Sequence, residues 1–273
     1  MIAPQERGPA TPTHALEPGR TPLLISVPHA GTQVAGPIAT ALADAARALP
    51  DTDWFVDRLW AWAREAGAGM LVARCSRYVV DLNRPPDDAP LYAARTTGLV
   101  PTETFDGDPV WREGRAPGAA DVADRTERYW RPYHAALEAE LARLRDTHGH
   151  AVLLDAHSIR GTLPRLFDGR LPDLNLGTDG GRSAAASLAR GAEDILGGDG
   201  RYRFVRDGRF RGGYITRHYG RPDEGVHALQ LEMAQRTYLR SAPPRFDEAR
   251  AAAIRPTLER LVVFLSAWSP GRG

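Results

Sequence analysis

Four apolar runs of the sequence end in side chains whose types could do chemistry. These side chains are His29, the group Asp81, Asn83 and Arg84, the pair Asp155 and His157, and Glu232. In open α/β sheets, ligands bind in the crevice outside the carboxyl ends of the strands. The pattern therefore predicts one crevice lined by His29, Asn83, Arg84, His157 and Glu232.

Two histidines and one carboxylate form a common zinc ligand set that leaves a fourth position open for water. His29 and His157 are the histidine candidates in this chain. Asp155, two residues before His157, has the spacing to orient the His157 ring. The ordinary structural alternative makes His29 a turn residue and the Asp155–His157 pair a hydrogen bond of the fold.

The carboxylate that would complete the set is left open by the sequence. Asp51, Asp53 and Glu65 are all candidates. Asp53 is favoured because it lies in the loop after the His29 unit, just before the helix that begins near Trp54. Asp51 is suited instead to cap that helix.

Water at such a centre needs a base, and the substrate needs an anchor. Glu232 is the candidate general base if it is not itself a ligand. Asn83 and Arg84 are candidates for holding a substrate carboxylate through charge-assisted, bidentate hydrogen bonds. In the structural alternative, these three residues only end a strand or cap the next turn.

A further group of candidates lies in GRFRGGYITRHYG, residues 208–220. Its members are Arg209, Arg211, Gly212, Gly213, Arg217 and His218. Two successive glycines let the backbone approach a ligand closely, which favours a cradle for a phosphate or carboxylate. The alternative is a hairpin with a basic outer face.

Composition excludes several classes of site. All 35 basic residues are arginine, so no lysine is available as a Schiff-base residue, a general base or the P-loop residue. The single cysteine, Cys75, permits no internal disulfide and is expected to be a buried packing thiol. A net charge of +1 indicates no nucleic-acid partner. Prolines and glycines interrupt the uncharged stretch 23–43, so neither a membrane span nor a signal peptide is expected. A cytoplasmic location is expected instead.

Competing catalytic motifs are weak. The chain has no His-Glu-x-x-His and no Cys-x-x-Cys sequence. Ser183 lies in a near match to a nucleophile elbow, but no apolar strand precedes it. Ser158 follows His157 directly, and adjacent residues of a strand point to opposite faces, so the two are poorly placed to act as a pair.

Strands and helices alternate along the chain and must position these groups. Strands are predicted at 23–27, in two runs within 69–84, at 150–158 and from 226, and helices at 37–50, 51–69, 121–149, 184–196 and 246–268. Residues 85–118 and 170–183 are predicted loops, and 202–220 is predicted as strand, turn and strand. This order predicts a mostly parallel or mixed sheet covered on both faces. A chain of 273 residues, 42% hydrophobic, suits a single domain at 21–273 after a flexible arm at 1–20.

Several ordered blocks of the chain resemble the N-formylglutamate amidohydrolase family. They are SVPHAG, DTDW, SRYVVDLNRPPDD, LYAARTTGLVPTETFDG, DAHSIRGTLPRLFDGRLPDLNLGT and GRFRGGYITRHYGRPDEGVHALQLEMAQRTYL. The resemblance runs from about Leu23 to Tyr238. DLNR is also similar to the substrate-carboxylate motif of aspartoacylases and succinylglutamate desuccinylases.

The resemblance implies a three-layer, zinc-exopeptidase-like (phosphorylase/hydrolase-like) α/β sandwich that hydrolyses N-formyl-L-glutamate to formate and L-glutamate in histidine degradation. Zn²⁺ is the implied metal, with another divalent transition metal as the alternative. The resemblance implies His29 and His157 at the metal, Glu232 as base, and Asn83 and Arg84 at the substrate carboxylate. Asp53 is taken as the third metal ligand. From the basic, glycine-rich segment 208–220, Arg217 or His218 is expected at the oxyanion, and Arg209, Gly212 and Gly213 are expected around the substrate. The broader group's first motif, His-x-x-Glu, would place a glutamate at Thr32, so Asp53 is an inference and not a motif match.

Two other functions are kept as alternatives. One is a related zinc hydrolase of another N-acyl amino acid or small peptide, and the other is a non-catalytic protein that binds acidic ligands. The second leaves Glu232 without a use. A small molecule is the expected partner, and the sequence fixes neither the oligomeric state nor whether residues 85–118 close over a substrate.

Overall fold

A seven-stranded mixed β-sheet forms the centre of the fold. The computed structural model describes residues 12–90, 97–240 and 243–271. The strands are β1 (His14–Glu17), β2 (Leu23–Val27), β3 (Gly69–Ala73), β4 (Ala151–Ile159), β5 (Leu174–Gly177), β6 (Phe204–Arg206), β7 (Val226–Ala234), β8 (Leu239–Arg240) and β9 (Arg245–Phe246). The order across the sheet is β1-β3-β2-β4-β7-β5-β6, and β8 pairs with β9 separately. Strands β3, β2, β4 and β7 are parallel, whereas β1 and β5 run antiparallel to their neighbours β3 and β7.

Helices flank this sheet, as the alternation of the sequence predicts. They are α1 (Gly36–Ala41), α2 (Val56–Trp60), α3 (Ala119–Arg125), α4 (Arg131–His148), α5 (Ala186–Gly197), α6 (Tyr214–Tyr219) and α7 (Glu248–Ala267). Short 3₁₀ turns lie at Asp44–Ala46, Ala61–Arg64, Pro222–Glu224 and Gln235–Thr237. Within the described ranges, no helix combines the length and apolar character needed to cross a membrane.

The two central strands, β4 and β7, are buried along their whole length. On one face, their apolar side chains join a core with α2, α5 and α7. On the other face, the first half of each strand packs in a second core with α4. Burying one leucine or valine contributes roughly 2 kcal/mol relative to leaving it exposed. The second half of that same face carries Asp155, His157, Gln230 and Glu232, so polar groups replace the apolar side chains at the carboxyl ends of the strands.

The predicted strand that would end at Asp81 is wrong. Residues 77–84 form turns, in which the Val79 N–H donates to Ser76 O at 2.9 Å and the Asn83 N–H donates to the Asp81 carboxylate at 2.9 Å. The valines are buried as expected, but local turns and side chains satisfy the backbone here instead of a neighbouring strand.

The predicted strand over YITRHY is also wrong, because Tyr214–Tyr219 form α6. Gly212 has a φ of +115°, a conformation that glycine adopts readily, and it interrupts extended backbone just before the helix begins. Within the predicted loop 170–183, Leu174–Gly177 form strand β5. The two helices predicted between 37 and 69 are shorter than expected, and Phe55, at a φ of +61°, marks the start of α2.

The long helix predicted at 121–149 is confirmed, with one interruption. A π-helical turn at Thr126–Trp130 separates α3 from α4, directly before Pro132. Proline has no N–H and its ring clashes with the preceding helical turn, which explains the local rearrangement. The left-handed Gly149, with a φ of +78°, ends α4.

The predicted arm at 1–20 is only partly open to comparison, because residues 1–11 lie outside the described ranges. His14–Glu17 do not form a loose arm, since they pair with β3 as edge strand β1. The predicted loop at 85–118 has no helix or strand from 85 to 90 or from 97 to 118, and residues 91–96 are not described.

Candidate active site

His29, Asp53 and His157 bring three metal-ligand atoms together at the carboxyl end of the sheet. Their donor atoms all lie within 4.8 Å of one another, and all three side chains are buried. His29 Nδ1 lies 3.2 Å from His157 Nδ1. Asp53 Oδ2 lies 3.1 Å from His157 Nδ1 and 3.8 Å from His29 Nδ1. The three residues come from the segment after β2, the loop before α2, and β4.

An outer carboxylate holds each histidine by its other ring nitrogen. His29 Nε2 lies 2.8 Å from Asp81 Oδ1, and His157 Nε2 lies 2.7 Å from Asp155 Oδ2. A carboxylate accepts only from a protonated ring nitrogen, so both rings carry the hydrogen on Nε2 and present Nδ1 to the centre. Two imidazole nitrogens and one carboxylate oxygen, each oriented in this way, fit a divalent metal.

The structure selects Asp53 from the three acids that the sequence left open. The Asp53 N–H donates to His29 O at 3.1 Å, and Asp53 Oδ2 accepts from the Ser158 N–H at 3.0 Å. Asp51 is turned elsewhere, because its carboxylate accepts from Tyr78 OH at 2.8 Å and from the Phe105 N–H at 2.9 Å. Glu65 is exposed and stands outside the group.

The buried charges of the centre shift one another's protonation. Burial and the Arg77 guanidinium lower the pKa of His29, which favours the neutral imidazole that a metal needs. Burial alone would lower the pKa of His157, but Asp155 and Asp53 outweigh it and hold that pKa well above 6.5. A metal that binds at His157 must therefore displace a proton.

Glu232 lies beside the three ligand candidates without being one of them. In the pairing of β4 with β7, Glu232 stands directly opposite His157. Burial, reinforced by the nearby Asp53 charge and opposed by His157 and Arg77, raises the pKa of Glu232 from 4.5 to about 8. Gln230, two residues earlier on the same face, points its Nε2 at Glu232 Oε2 from 3.4 Å. This places a carboxyl group that titrates near neutral pH at the wall of the cleft.

Arg77 belongs to the site, and the sequence analysis missed it. Arg77 is 8% exposed and lines the cleft. One terminal nitrogen lies 2.8 Å from His29 Nδ1 and 3.2 Å from Asp81 Oδ2. Among the described residues, its Nε–H has no hydrogen-bond partner. The only signal in the sequence is an arginine four residues before Asp81, next to a buried apolar run, and such a residue usually marks the solvent end of a run.

Four of the predicted substrate-binding residues reach the cleft: Asn83, Arg84, Arg209 and Gly213. The Arg84 guanidinium donates to Thr97 O at 2.7 Å, to Thr97 Oγ1 at 3.2 Å and to Asn83 O at 3.0 Å. Arg209 donates from Nε to Leu166 O at 3.0 Å and lies over the Phe210 ring, 5.6 Å from its centroid. Arg84 and Arg209 are therefore both held by loop residues around the cleft.

Gly212, Arg217 and His218 are not among the residues that line the cleft. Arg217 Nε donates to Gly212 O at 2.8 Å and lies 3.5 Å from Asp179 Oδ1. The His218 ring stacks on Tyr214, with 4.7 Å between the ring centroids. These contacts lie on α6, which replaces the expected strand, and on the loop residues beside it. The structure thus gives no support to their predicted part at the oxyanion.

Three loops build the remaining wall of the cleft, which encloses about 660 Å³ including its open mouth. Phe105, Leu166 and Phe210 come from a different loop each and meet in a small apolar cluster. Arg160 pairs with Asp106 at 2.6 Å, and Arg165 pairs with Glu103. Two ion pairs therefore join the loop that carries Phe105 to the loop that carries Leu166.

Comparison with known proteins identifies a family that matches most of the chain. The family model for N-formylglutamate amidohydrolase matches residues 21–239. The chain is 50% identical over 255 residues to the N-formylglutamate deformylase of Pseudomonas aeruginosa and 48% identical over 255 residues to that of Pseudomonas putida, covering 93% of this chain and 96% of each relative. The crystal structure of N-formylglutamate amidohydrolase from Ralstonia eutropha JMP134 is similar with a TM-score of 0.80 at 26% identity, covering 93% of this chain and 97% of that one.

Proposed function

The chain belongs to the N-formylglutamate amidohydrolase family, and we propose that it hydrolyses N-formyl-L-glutamate to formate and L-glutamate at a metal centre of His29, Asp53 and His157. The observation that carries the proposal is the convergence of these three donors beside Glu232, at the base of a cleft that also contains arginines. Such a cleft suits an anionic amide substrate. The family resemblance further supports a place in histidine degradation and in the cytoplasm.

We propose Zn²⁺ as the metal, because neutral imidazole and carboxylate donors suit it, with another divalent transition metal as the alternative. A bound metal of this type would polarise the formyl oxygen and lower the pKa of water. His29 and His157 would offer Nδ1, and Asp53 would offer Oδ2. The Asp81 and Asp155 carboxylates would keep both rings in the required tautomer.

Glu232 moves the protons in this proposal. The positive charge of a bound cation would favour its carboxylate form, which then takes a proton from the attacking water. The same carboxyl group afterwards gives a proton to the nitrogen that leaves as the glutamate amine. A pKa shifted upward by burial suits a group that must act in both directions near neutral pH.

Arg77 is the group that we propose for the developing negative charge on the formyl oxygen. Its guanidinium is buried beside the ligand atoms, and its Nε–H has no hydrogen-bond partner within the described ranges. One well-placed donor to a developing oxyanion lowers the barrier by about 3 kcal/mol. The assignment replaces Arg217 and His218, which do not line the cleft.

The loop wall holds the glutamate part of the substrate. Arg209 and Arg84 provide the positive charges for its carboxylates, and an arginine suits a carboxylate because both groups are planar and fork-shaped. Phe105, Leu166 and Phe210 provide apolar surface for the two methylene groups. With both carboxylates held, the formyl group would be directed toward the carboxyl ends of β4 and β7, where Glu232 lies.

The test is a formate assay on metal-free protein before and after addition of Zn²⁺. N-formyl-L-glutamate is compared with N-acetyl-L-glutamate and N-succinyl-L-glutamate at equal concentrations, and the released amine is measured in parallel. We expect metal-dependent release of formate and glutamate in equal amounts, with the formyl compound preferred. If the acetyl or succinyl compound is hydrolysed and N-formyl-L-glutamate releases no formate, the protein is a different N-acyl hydrolase and the proposal is wrong.

A further inference from the structure

Asn83 contacts both of the outer carboxylates that orient the metal-ligand histidines. Its backbone N–H donates to Asp81 Oδ1 at 2.9 Å, the oxygen that also faces His29 Nε2. Its side-chain Nδ2 donates to Asp155 Oδ2 at 3.0 Å, the oxygen that also faces His157 Nε2. One residue therefore joins the supports of two ligands that come from distant parts of the chain.

The orientation of the Asn83 amide is fixed by a backbone donor. The Ile215 N–H, which can only donate, gives a hydrogen bond of 2.8 Å to Asn83 Oδ1. The nitrogen of the amide must therefore face Asp155. The His157 Nε2–H and the Asn83 Nδ2–H converge on the same carboxylate oxygen, which leaves the two nitrogens 3.0 Å apart.

The surroundings of this amide leave it little room to move. Asn83 is 4% exposed, although it borders the cleft. Gly213 lies so close that a Cβ at that position would stand 2.4 Å from Asn83 Nδ2 and 2.5 Å from Asn83 Oδ1. The start of α6 thus holds the amide from one side, and Asp155 holds it from the other.

We propose that Asn83 is a positioning residue of the metal centre and not the residue that grips the substrate carboxylate. It holds Asp81 and Asp155 where each accepts from a histidine Nε2–H, so that both Nδ1 atoms stay turned toward Asp53. This inference rests on the metal site of the proposed function but does not depend on the identity of the substrate.

The test is Asn83→Leu, which keeps the branched shape of the side chain, removes the amide that donates to Asp155, and leaves the backbone N–H to Asp81 in place. The dissociation constant of Zn²⁺ is measured by competition with a chelating dye, and folding is followed by circular dichroism and thermal unfolding. Loss of an outer partner weakens metal binding by about 10- to 100-fold, and we expect the Zn²⁺ dissociation constant of Asn83→Leu to rise in that range. With Zn²⁺ saturating, we expect KM for N-formyl-L-glutamate to stay within about threefold of the wild type.

Ser26→Ala is the matched control, because Ser26 Oγ donates to the other oxygen of Asp155 at 3.1 Å and Ser26 is also buried. Its Zn²⁺ dissociation constant should change by less than about threefold, because Asp155 Oδ2 keeps both of its donors. Gly213→Ala is a second variant that displaces the Asn83 amide without changing its chemistry, and we expect it also to weaken Zn²⁺ binding. If Asn83→Leu does not fold, the Zn²⁺ dissociation constant of Gly213→Ala tests the proposal in its place.

A Zn²⁺ dissociation constant within about threefold of the wild type in Asn83→Leu overturns the proposal, whatever happens to KM. An unchanged metal affinity with a raised KM would assign Asn83 to the substrate carboxylate. An equal loss of affinity in Ser26→Ala also overturns the proposal, because it would show a general disturbance around Asp155. Metal binding is measured without substrate, so this outcome is separate from a failure of the wild type to release formate.

Discussion

The two ends of the cleft are built by opposite means. The metal end, formed by His29, Asp53, Asp81, Asp155 and His157, consists of side chains that are at most 3% exposed. The loop end, formed by residues 97–111, 160–171 and 207–213, is held by partly exposed ion pairs such as Arg160–Asp106, whose side chains are 36% and 46% exposed. Charges at the first end are desolvated and paired, whereas those at the second remain in contact with water.

This difference decides what a substitution costs at each end. A buried charge that loses its partner keeps its desolvation penalty, so removal of one group at the metal end disturbs all the others. An exposed ion pair contributes little, because water and salt replace the lost partner. We therefore expect large, coupled effects at the metal end and smaller, separable effects at the loop end.

The largest effect is expected for His157→Ala, which removes a ligand candidate and leaves Asp155 Oδ2 without its histidine. Zn²⁺ affinity should fall by more than the roughly 100-fold that an outer partner can cost, and formate release should fall with it. Metal content after dialysis measures the loss of Zn²⁺ binding, and the formate assay measures the loss of activity. His218→Ala, outside the cleft, is the control and should keep metal and activity; equal loss in both variants contradicts the assignment.

Glu232→Gln should separate proton transfer from metal binding within the metal end. The amide keeps the shape of the side chain but cannot take a proton from water, so kcat should fall about 1,000-fold. The Zn²⁺ dissociation constant should change far less, because Glu232 is not one of the three ligand candidates. Steady-state kinetics at saturating metal measure the effect, and a kcat within about tenfold of the wild type would show that another group is the base.

At the loop end, Arg209→Met should act on substrate binding while metal binding stays unchanged. A charged hydrogen bond contributes about 1.5–3 kcal/mol, so KM for N-formyl-L-glutamate should rise roughly 10- to 100-fold. Arg211→Met is the matched control, since Arg211 is on the same loop but exposed and not at the cleft. If both variants raise KM equally, general positive charge and not Arg209 holds the substrate.

The buried carboxyl of Glu232 should also make metal-free protein less stable as the pH rises. The folded state keeps this proton up to about pH 8, whereas the unfolded chain releases it near 4.5, so the native state holds more protons in between. Glu232→Gln removes this dependence, and its free energy of unfolding relative to the wild type should increase from pH 5 to pH 8 by at least about 1 kcal/mol. Urea unfolding across this range, with a chelator present, measures the difference, and a flat difference would contradict it.

The smallest effect is expected for Asp106→Asn at the loop end. It breaks the exposed pair with Arg160, which should cost less than about 1 kcal/mol of unfolding free energy, and less still in high salt. Activity should remain close to that of the wild type. Urea unfolding at low and high salt tests this, and a loss as large as that of a metal-end variant would remove the contrast between the two ends.

The parts of the fold that local pattern determines were predictable from the sequence. β4 and β7 are long apolar runs, and the polar residues at their carboxyl ends indicated the candidate metal site, because parallel strands bring these ends together. The helix at 121–149 carries its own signals, including Gly149 at its end. The predictions of the family, the fold class and the reaction are supported by the comparisons with known proteins.

The parts that depend on distant contacts were not predictable in the same way. Arg77 matters because it reaches His29 from 48 positions away, and no local spacing shows this. Asn83 was assigned to the substrate as half of an Asn-Arg pair, and no local pattern shows that its amide oxygen accepts from the Ile215 N–H, 132 positions later. The strand predicted over residues 214–219 was wrong because β propensity is overridden by tertiary context, here a helix that buries Ile215 and Thr216.

The pairing of β4 with β7 sets His157 directly opposite Glu232. A single inserted or deleted residue in either strand would turn one of the two side chains to the other face of the sheet, because strand residues alternate. Insertions and deletions that preserve catalysis should therefore be confined to the loops. Relatives with new acyl or amino-acid preferences, whether evolved or engineered, should differ in loop length at the mouth of the cleft while the spacing along these two strands stays constant.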